Sequence, residues 1–161
     1  MPHPEFLDLL FTHKSKVSAV FSDVLGLHEI NHIAISAINQ HNQLLTFSST
    51  PALEFNLFNT GLWQFDNSYQ PQWYQLCTHS PWQTLYTRAR YDELYYLKQL
   101  KHHYPLGLSL ATKLGDSHFV YSIASHKDCP VTRELFSQQH EHFYKIGHYC
   151  ANALSPLFLH G

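Results

Sequence analysis

The strongest constraint on the fold is a β-hairpin in the second half of the chain. Large apolar residues alternate with small or polar ones on both sides of a two-residue turn, Gly115-Asp116. The apolar set is Leu106, Leu108, Leu110 and Leu114 before the turn, and Phe119, Tyr121 and Ile123 after it. A two-residue period around such a turn predicts two antiparallel strands.

A shorter hairpin is predicted earlier in the chain. Ile33, Ile35 and Ala37 alternate with small or polar residues, and the polar segment 39–43 supplies a turn. The run 44–48 follows, with its apolar side chains on one face. This pattern also indicates paired strands.

Helical patterns surround the two hairpins. Apolar residues recur at three- and four-residue steps from Pro4 to Leu25, and another helix begins at Thr50-Pro51, with Thr50 as its predicted N-cap. Residues 91–103 carry acids in the first turn and bases, including Lys98, in the last, as a helix dipole favours. Pro130 begins a long helix, and residues 62–88 predict only short helices and one irregular strand.

The order of these elements predicts the fold class. Antiparallel hairpins separated by helices indicate an α+β fold, with one central antiparallel sheet packed by helices. The length of 161 residues fits a single domain over residues 1–161. Since no strand–helix–strand alternation occurs, a parallel nucleotide-binding sheet is disfavoured.

Composition excludes several classes of protein. Apolar residues make up 44%, charged residues 14%, and the net charge is −2, unlike a disordered chain or a domain that grips nucleic acid by its own field. No apolar run has the length of a membrane span and no secretory signal is visible. Three cysteines without a CxxC spacing suit a reducing compartment, so we expect a cytoplasmic domain.

One string matches a catalytic pattern. His28-Glu29-Ile30-Asn31-His32 is formally H-E-x-x-H, which on a helix holds zinc between its histidines and uses the glutamate as a base. Glu54 is a candidate third ligand. Gly26 upstream and the strand pattern after His32 argue against a helix, and residues four apart on a strand are about 13 Å apart. We therefore expect no metal and no other cofactor, and keep a zinc-dependent hydrolase as an alternative.

The segment between the hairpins is crowded with aromatic residues and predicts a ligand-binding pocket. Rings combined with scattered polar groups provide contact area and orientation for a small molecule. The same composition suits the lid of a hydrophobic core or a dimer patch. The candidate residues are Trp63, Phe65, Tyr69, Trp73, Tyr74 and Trp82.

Three stretches together resemble the N-terminal ligand-binding domain of LuxR-type quorum-sensing regulators, a PAS/GAF-like sensor fold. They are the strand–turn–strand that ends in Ser49-Thr50-Pro51, the Trp/Tyr-rich segment 63–82, and the glycine-marked hairpin 104–125. The resemblance implies a site between the sheet and a helix layer, where aromatic residues line an acyl-homoserine lactone and an aspartate binds its amide.

The resemblance assigns the aromatic lining to Trp63, Tyr69, Trp73 and Trp82. Asp66, the only acid of that segment, is the seventh candidate binding residue. The family's Asp-Pro step is absent, and Gln-Pro and Ser-Pro steps stand in its place. We therefore expect a non-enzymatic sensory domain of a transcription regulator, which contacts DNA only through a separate domain. A ligand-free protein-interaction module is a further alternative.

The terminal helices predict a homodimer. Each carries apolar residues beyond one stripe, Leu9 on the first and Tyr144 and Tyr149 on the last. A wide apolar face is commonly buried by twofold pairing, here through residues 4–25, residues 130–157 or both. The competing interpretation places the two tyrosine rings on the core with their hydroxyls in water.

Overall fold

A single open sheet organises the chain. The computed structural model describes residues 1–158, and its five antiparallel strands lie in the order β2-β1-β5-β4-β3. The α+β class and the central antiparallel sheet packed by helices are confirmed. The strands are β1 (His32–Ile38), β2 (Leu44–Ser48), β3 (His79–Pro81), β4 (Leu106–Leu114) and β5 (Ser117–Ser125).

Both predicted hairpins are present, and they pair side by side. β1 and β2 form the first, β4 and β5 form the second, and the turn of the second lies at Gly115-Asp116. The pairing of β1 with β5, in which Ile35 lies opposite Tyr121, joins the hairpins into one sheet. β3 is the predicted irregular strand and closes the far edge beside β4.

Helices cover both faces of the sheet. They are α1 (Phe6–Thr12), α2 (Lys14–Ser22), α3 (Pro51–Asn59), α4 (Pro71–Tyr74), α5 (Trp82–Leu85), α6 (Tyr91–Tyr95), α7 (Pro130–Gln138) and α8 (His140–Phe158). Short 3₁₀ turns lie at Leu27–Glu29, Leu62–Phe65, Asn67–Tyr69 and Arg88–Arg90. No helix within residues 1–158 is both long and apolar enough to cross a membrane.

The prediction of two long terminal helices was wrong in detail. Each is divided at a residue outside helical geometry, at His13 (φ −103°, ψ 45°) and at Gln139 (φ −101°, ψ 38°). The first break separates α1, which contacts β2 and α3, from α2, which packs on α8. The second separates α7 from α8, so that α8 crosses β1 and β5.

The helix predicted over residues 91–103 is also altered. α6 ends at Tyr95 and continues as a π-helical turn, Tyr96–Leu100. A π turn adds a residue to the helical repeat and therefore rotates the side chains that follow. Lys98, predicted in the last turn of the helix, lies in this π turn and is buried.

The two faces of the sheet differ in chemistry although both are buried. The face under α8 carries large apolar side chains, and Gly147 of α8 lies so close to Tyr121 that a methyl group there would overlap the ring. The opposite face, under α3 and α5, carries small and hydroxyl side chains. They are Ala34, Ser36, Thr46, Ser48, Gly107, Ser109, Ala111, Ser122 and Ala124.

Candidate functional site

A row of small residues crosses the polar face of the sheet. Pairing places Ser48 beside Ala34, Ala34 beside Ser122, Ser122 beside Ser109, and Ser109 beside Ser80. Because alternate residues of paired strands share a face, these side chains lie in one line from β2 to β3. Their small size leaves space above the sheet for side chains of the helices, such as the Trp82 ring that packs on Gly107.

A buried ion pair lies in that space. The Lys98 Nζ donates to Asp66 Oδ2 over 2.7 Å, and both side chains are almost wholly withdrawn from solvent. Asp66 Oδ1 accepts two further hydrogen bonds, from the backbone N–H and the hydroxyl of Ser68. These bonds fix the carboxylate, while the π turn that follows α6 directs the ammonium inward.

The Trp82 ring covers the ammonium. Lys98 Nζ lies 4.3 Å from the centre of the Trp82 ring and 5.5 Å from that of Tyr86, within the range of cation–π attraction. The ring reaches the sheet because residue 107 is glycine, where a methyl group would overlap the indole. The Trp82 side chain is therefore held between the sheet and Lys98.

A second polar pair lies beside the first. His32 Nε2 is 3.8 Å from Glu54 Oε2, and both groups are fully buried. Burial lowers the pKa of His32 to about 3, with the positive charge of Lys98 adding to the effect. Burial also raises the pKa of Glu54 to about 7, although a hydrogen bond with Ser48 opposes the rise. The imidazole is therefore neutral at neutral pH, and the carboxyl group takes up a proton near that pH.

Thr50 orients the imidazole instead of capping a helix. Its hydroxyl lies 2.9 Å from His32 Nδ1 and 2.7 Å from the Tyr104 hydroxyl, and it makes no side-chain cap to α3. Thr50 therefore occupies the predicted N-cap position before Pro51, but its side chain does not cap the helix. The hydroxyl is used to join the start of α3 to β1 and to the residue before β4.

Within residues 1–158, seven buried side-chain polar atoms have no hydrogen-bond partner, among them Thr87 Oγ1, His102 Nε2 and His118 Nδ1. The other four lie on or over the part of this face that α3 and α5 cover. They are His32 Nε2 on β1, Glu54 Oε1 on α3, Trp82 Nε1 on α5 and Ser109 Oγ on β4. We call His32, Glu54, Asp66, Trp82, Lys98 and Ser109 the buried polar cluster. Buried polar atoms are normally paired, so four unpaired ones on one face indicate that a further polar group belongs there.

The structure brings together three of the seven candidate binding residues. Asp66 and Trp82 belong to the buried polar cluster. Tyr69 is buried beside it, and desolvation together with the carboxylates of Asp66 and Glu54 raises its pKa well above the usual value. All three lie between the sheet and the helices, in the layer where the site was predicted.

The other four aromatic residues pack away from the cluster. Trp63 stacks on Phe58 with ring centres 5.7 Å apart, and Phe65 lies 5.3 Å under the guanidinium of Arg90. Trp73 donates its indole N–H to Ser80 Oγ over 3.1 Å. Tyr74 packs against the ring of His118.

The H-E-x-x-H string does not form a helical metal site. His28 and Glu29 have left-handed backbone angles (φ 48° and 67°) in a turn before β1. Glu29 pairs with Lys127 at 2.8 Å and the His28 ring packs on His142, whereas His32 lies inside the sheet. Within residues 1–158 no three His, Cys, Asp or Glu side chains are placed to hold a metal ion together.

Sequence reasoning missed Lys98 as a site residue and considered His32 and Glu54 only as zinc ligands. Lys98 lies in a helical pattern in which charged residues normally face water. No feature of the sequence predicts the π turn that directs its side chain inward. One signal was present in the strands: the residues between the large apolar ones are serine, threonine, alanine or glycine, as in Gly107-Leu108-Ser109-Leu110-Ala111. Such a pattern indicates a buried face of the sheet that carries small side chains.

Comparison with known proteins was made by sequence and by structure. No protein-family model and no curated protein matches this sequence. Solved structures do match. CepR2 of Burkholderia cenocepacia, an N-acylhomoserine lactone dependent LuxR family transcription factor, superposes with a TM-score of 0.62 at 9% identity, over 96% of this chain and 93% of that one.

Escherichia coli SdiA superposes with a TM-score of 0.61 at 13% identity, over 88% of this chain and 61% of SdiA. The ligand-binding domain of Pseudomonas aeruginosa VqsR gives 0.52 at 14% identity, over 92% of each chain. The fold is that of the LuxR-type ligand-binding domains. This chain spans about three fifths of the SdiA structure, and nearly all of CepR2 and VqsR.

Proposed function

We propose that this chain is a sensory domain of a LuxR-type transcription regulator, and that it binds a small amphipathic molecule at the buried polar cluster. It performs no catalysis, and contact with DNA is left to a separate domain. The observation that carries the proposal is the set of four unpartnered polar atoms on the small-residue face of the sheet. A polar group from a ligand would pair with them.

The cluster favours a neutral or weakly polar head group with both donors and acceptors. Trp82 Nε1 offers a donor, while Glu54 offers an acceptor when ionised and a donor when protonated. The Trp82 and Tyr69 side chains at the cluster are aromatic and suit a short hydrocarbon tail. Trp63, Phe65, Trp73 and Tyr74 form a supporting layer in this proposal.

The similar structures support the same class of ligand. SdiA has been solved in complex with octanoyl-rac-glycerol, and CepR2 is dependent on N-acylhomoserine lactone. Both molecules join an acyl chain to a polar head, which is the form that the buried polar cluster suits. We therefore take octanoyl-rac-glycerol and an acyl-homoserine lactone as probes.

Titration calorimetry with each probe tests this proposal. The wild-type chain is expected to bind one probe per chain, and Trp82→Phe, which keeps a ring but removes the indole N–H, is expected to bind roughly tenfold more weakly. Trp63→Phe is the matched control and should bind like the wild type. If neither probe binds, or if both variants weaken binding equally, the proposed site is wrong.

Two further features complete the proposal. We propose a homodimer through residues 4–25, residues 130–157 or both, because Phe11, Leu25 and Val131 leave apolar surface exposed there. Tyr144 and Tyr149 already have partners within the chain, Ala111 O and Asp23 Oδ2. Light scattering that gives a monomer mass at high protein concentration would contradict the dimer.

We also propose a cytoplasmic location, where the three free cysteines stay reduced.

A further inference from the structure

Lys98 occupies an unusual position for a lysine. Its side chain is 2% exposed. It lies in the π-helical turn Tyr96–Leu100, whose first and last residues, Tyr96 and Leu100, are about half exposed. Lysine is almost never fully buried unless it is paired, and π turns within helices are frequent at functional sites. The local backbone therefore departs from a regular helix at the point where it brings an ammonium group inside.

The chemistry of this side chain resembles that of the proposed ligands. Lysine is a four-carbon apolar stem that ends in a polar head with hydrogen-bond donors. Its head contacts the Asp66 carboxylate and the face of Trp82, at the centre of the buried polar cluster. Lys98 thus fills the polar end of the space above the small-residue face.

A purely structural purpose accounts poorly for this arrangement. Two apolar side chains of similar volume commonly stabilise a core as well as a buried ion pair does. Here, in addition, His32 Nε2, Glu54 Oε1 and Trp82 Nε1 stay unpartnered around the pair. The cluster therefore contains more polar groups than the Lys98 ammonium pairs with. This is expected of a site that is shaped to pair with a different molecule.

We propose that Lys98 is a built-in occupant of the ligand site, which holds the polar end of the site closed until a ligand displaces it. The inference rests on the proposed function and adds its regulation. The ligand class is a neutral amphipathic molecule whose head carries a hydrogen-bond donor for Glu54 Oε1 and an acceptor for Trp82 Nε1. Binding requires the Lys98 side chain to leave the cluster, and so the resting domain is folded without ligand.

The test compares the affinity for octanoyl-rac-glycerol of three versions of this chain. They are the wild type, the double variant Lys98→Ala/Asp66→Asn, and Lys101→Ala. The double variant removes the occupant together with the carboxylate that it would leave unpaired, which guards against unfolding. Lys101→Ala removes an exposed lysine three residues away and serves as the matched control. Calorimetry gives the affinities, and circular dichroism verifies that each protein is folded.

We expect the double variant to bind the probe at least about tenfold more tightly than the wild type, and Lys101→Ala to bind like the wild type. Equal affinities for the wild type and the double variant would overturn the built-in occupant while leaving the proposed function intact. Weaker binding by the double variant would overturn it as well. Absence of binding by all three proteins would overturn both the inference and the proposed function.

Discussion

The two faces of the sheet are equally buried but are filled in different ways. Under α8, large apolar side chains of the sheet such as Ile35, Tyr121 and Ile123 are fully withdrawn from solvent and fill the layer together with those of the helix. Under α3 and α5, the sheet supplies small and hydroxyl side chains, and the layer above it holds an ion pair and unpartnered polar atoms.

This difference separates the part of the chain that stabilises the fold from the part available for a ligand. An apolar, closely packed layer contributes most of the burial energy and tolerates little change. A layer of serine, alanine and glycine contributes less, and the polar groups His32 Nε2, Glu54 Oε1 and Trp82 Nε1 above it stay unpartnered. The face under α8 therefore contributes most of the stability of the fold, and the opposite face carries the candidate site.

The largest expected effect comes from breaking the buried ion pair. Lys98→Ala leaves the Asp66 carboxylate buried without its cation, so we expect the free energy of unfolding to fall by about 3–5 kcal/mol. Lys101→Ala, at an exposed position, should change it by less than about 0.5 kcal/mol. Urea unfolding followed by circular dichroism measures both. A loss below about 1 kcal/mol for Lys98→Ala would show that Asp66 is not confined as described.

The second prediction concerns the dependence of stability on pH. Glu54 has a pKa of about 7 in the folded state against its ordinary value of 4.5, so the folded state holds this proton more strongly. Its contribution to stability is full below pH 4.5 and is lost as the pH rises to about 7, a cost of up to about 3 kcal/mol. Glu54→Gln is therefore expected to be more stable than the wild type at about pH 8.

His32 has the opposite effect on the free energy of unfolding, over an overlapping range of pH. Its pKa is lowered from 6.5 to about 3, so the folded state resists protonation and loses stability as the pH falls from 6.5 to 3. In Glu54→Gln the stability between pH 4.5 and 6.5 should rise with pH, and in His32→Asn it should fall. Unfolding curves across this range measure both slopes. Parallel slopes in the two variants would contradict the assigned protonation states.

The third prediction compares the two glycines that admit aromatic rings. Gly147→Ala pushes α8 away from Tyr121 on the apolar face, and Gly107→Ala pushes Trp82 away from the polar face. Overpacking of this kind costs about 1–3 kcal/mol of unfolding free energy. We expect both variants to lose stability, but only Gly107→Ala to change the affinity for octanoyl-rac-glycerol. If only Gly147→Ala changed the affinity, the ligand would bind on the apolar face under α8, and the proposed site would be wrong.

The smallest effect is expected on the polar face itself. Thr46 Oγ1 shares a 2.7 Å hydrogen bond with Ser36, so Thr46→Val should cost about 1 kcal/mol. Ser109 Oγ has no partner within residues 1–158, so Ser109→Ala should leave stability unchanged or raise it by up to about 1 kcal/mol. Thermal unfolding compares the two. An equal loss in both would mean that the Ser109 hydroxyl is already satisfied.

Much of the scaffold followed from local sequence patterns. The hairpins were predictable because apolar and polar residues alternate on both sides of Gly115-Asp116 and of residues 39–43, which is typical of paired strands. The helix breaks at His13 and Gln139 were not, because neither residue is a glycine or proline and the break is set by what each half packs against.

The candidate site was predictable only in its general place. Trp82 and Asp66 stood out in an aromatic segment with a single acid, and the resemblance placed them between sheet and helices. Lys98 was not predicted as a site residue, and Glu54 was considered only as a zinc ligand, because a charged residue in a helical pattern normally faces water. Their burial depends on the π turn after α6 and on the small residues of the facing strands, which are tertiary features.

The most direct test of a ligand site on the polar face is a nuclear magnetic resonance titration of the three tryptophan indole N–H groups. The indole of Trp82 is unpartnered in the buried polar cluster, that of Trp73 is bonded to Ser80, and Trp63 stacks on Phe58. Excess octanoyl-rac-glycerol is expected to shift the Trp82 resonance and to leave those of Trp63 and Trp73 in place. A Trp82 resonance that does not move, while either of the others does, would contradict a site on this face.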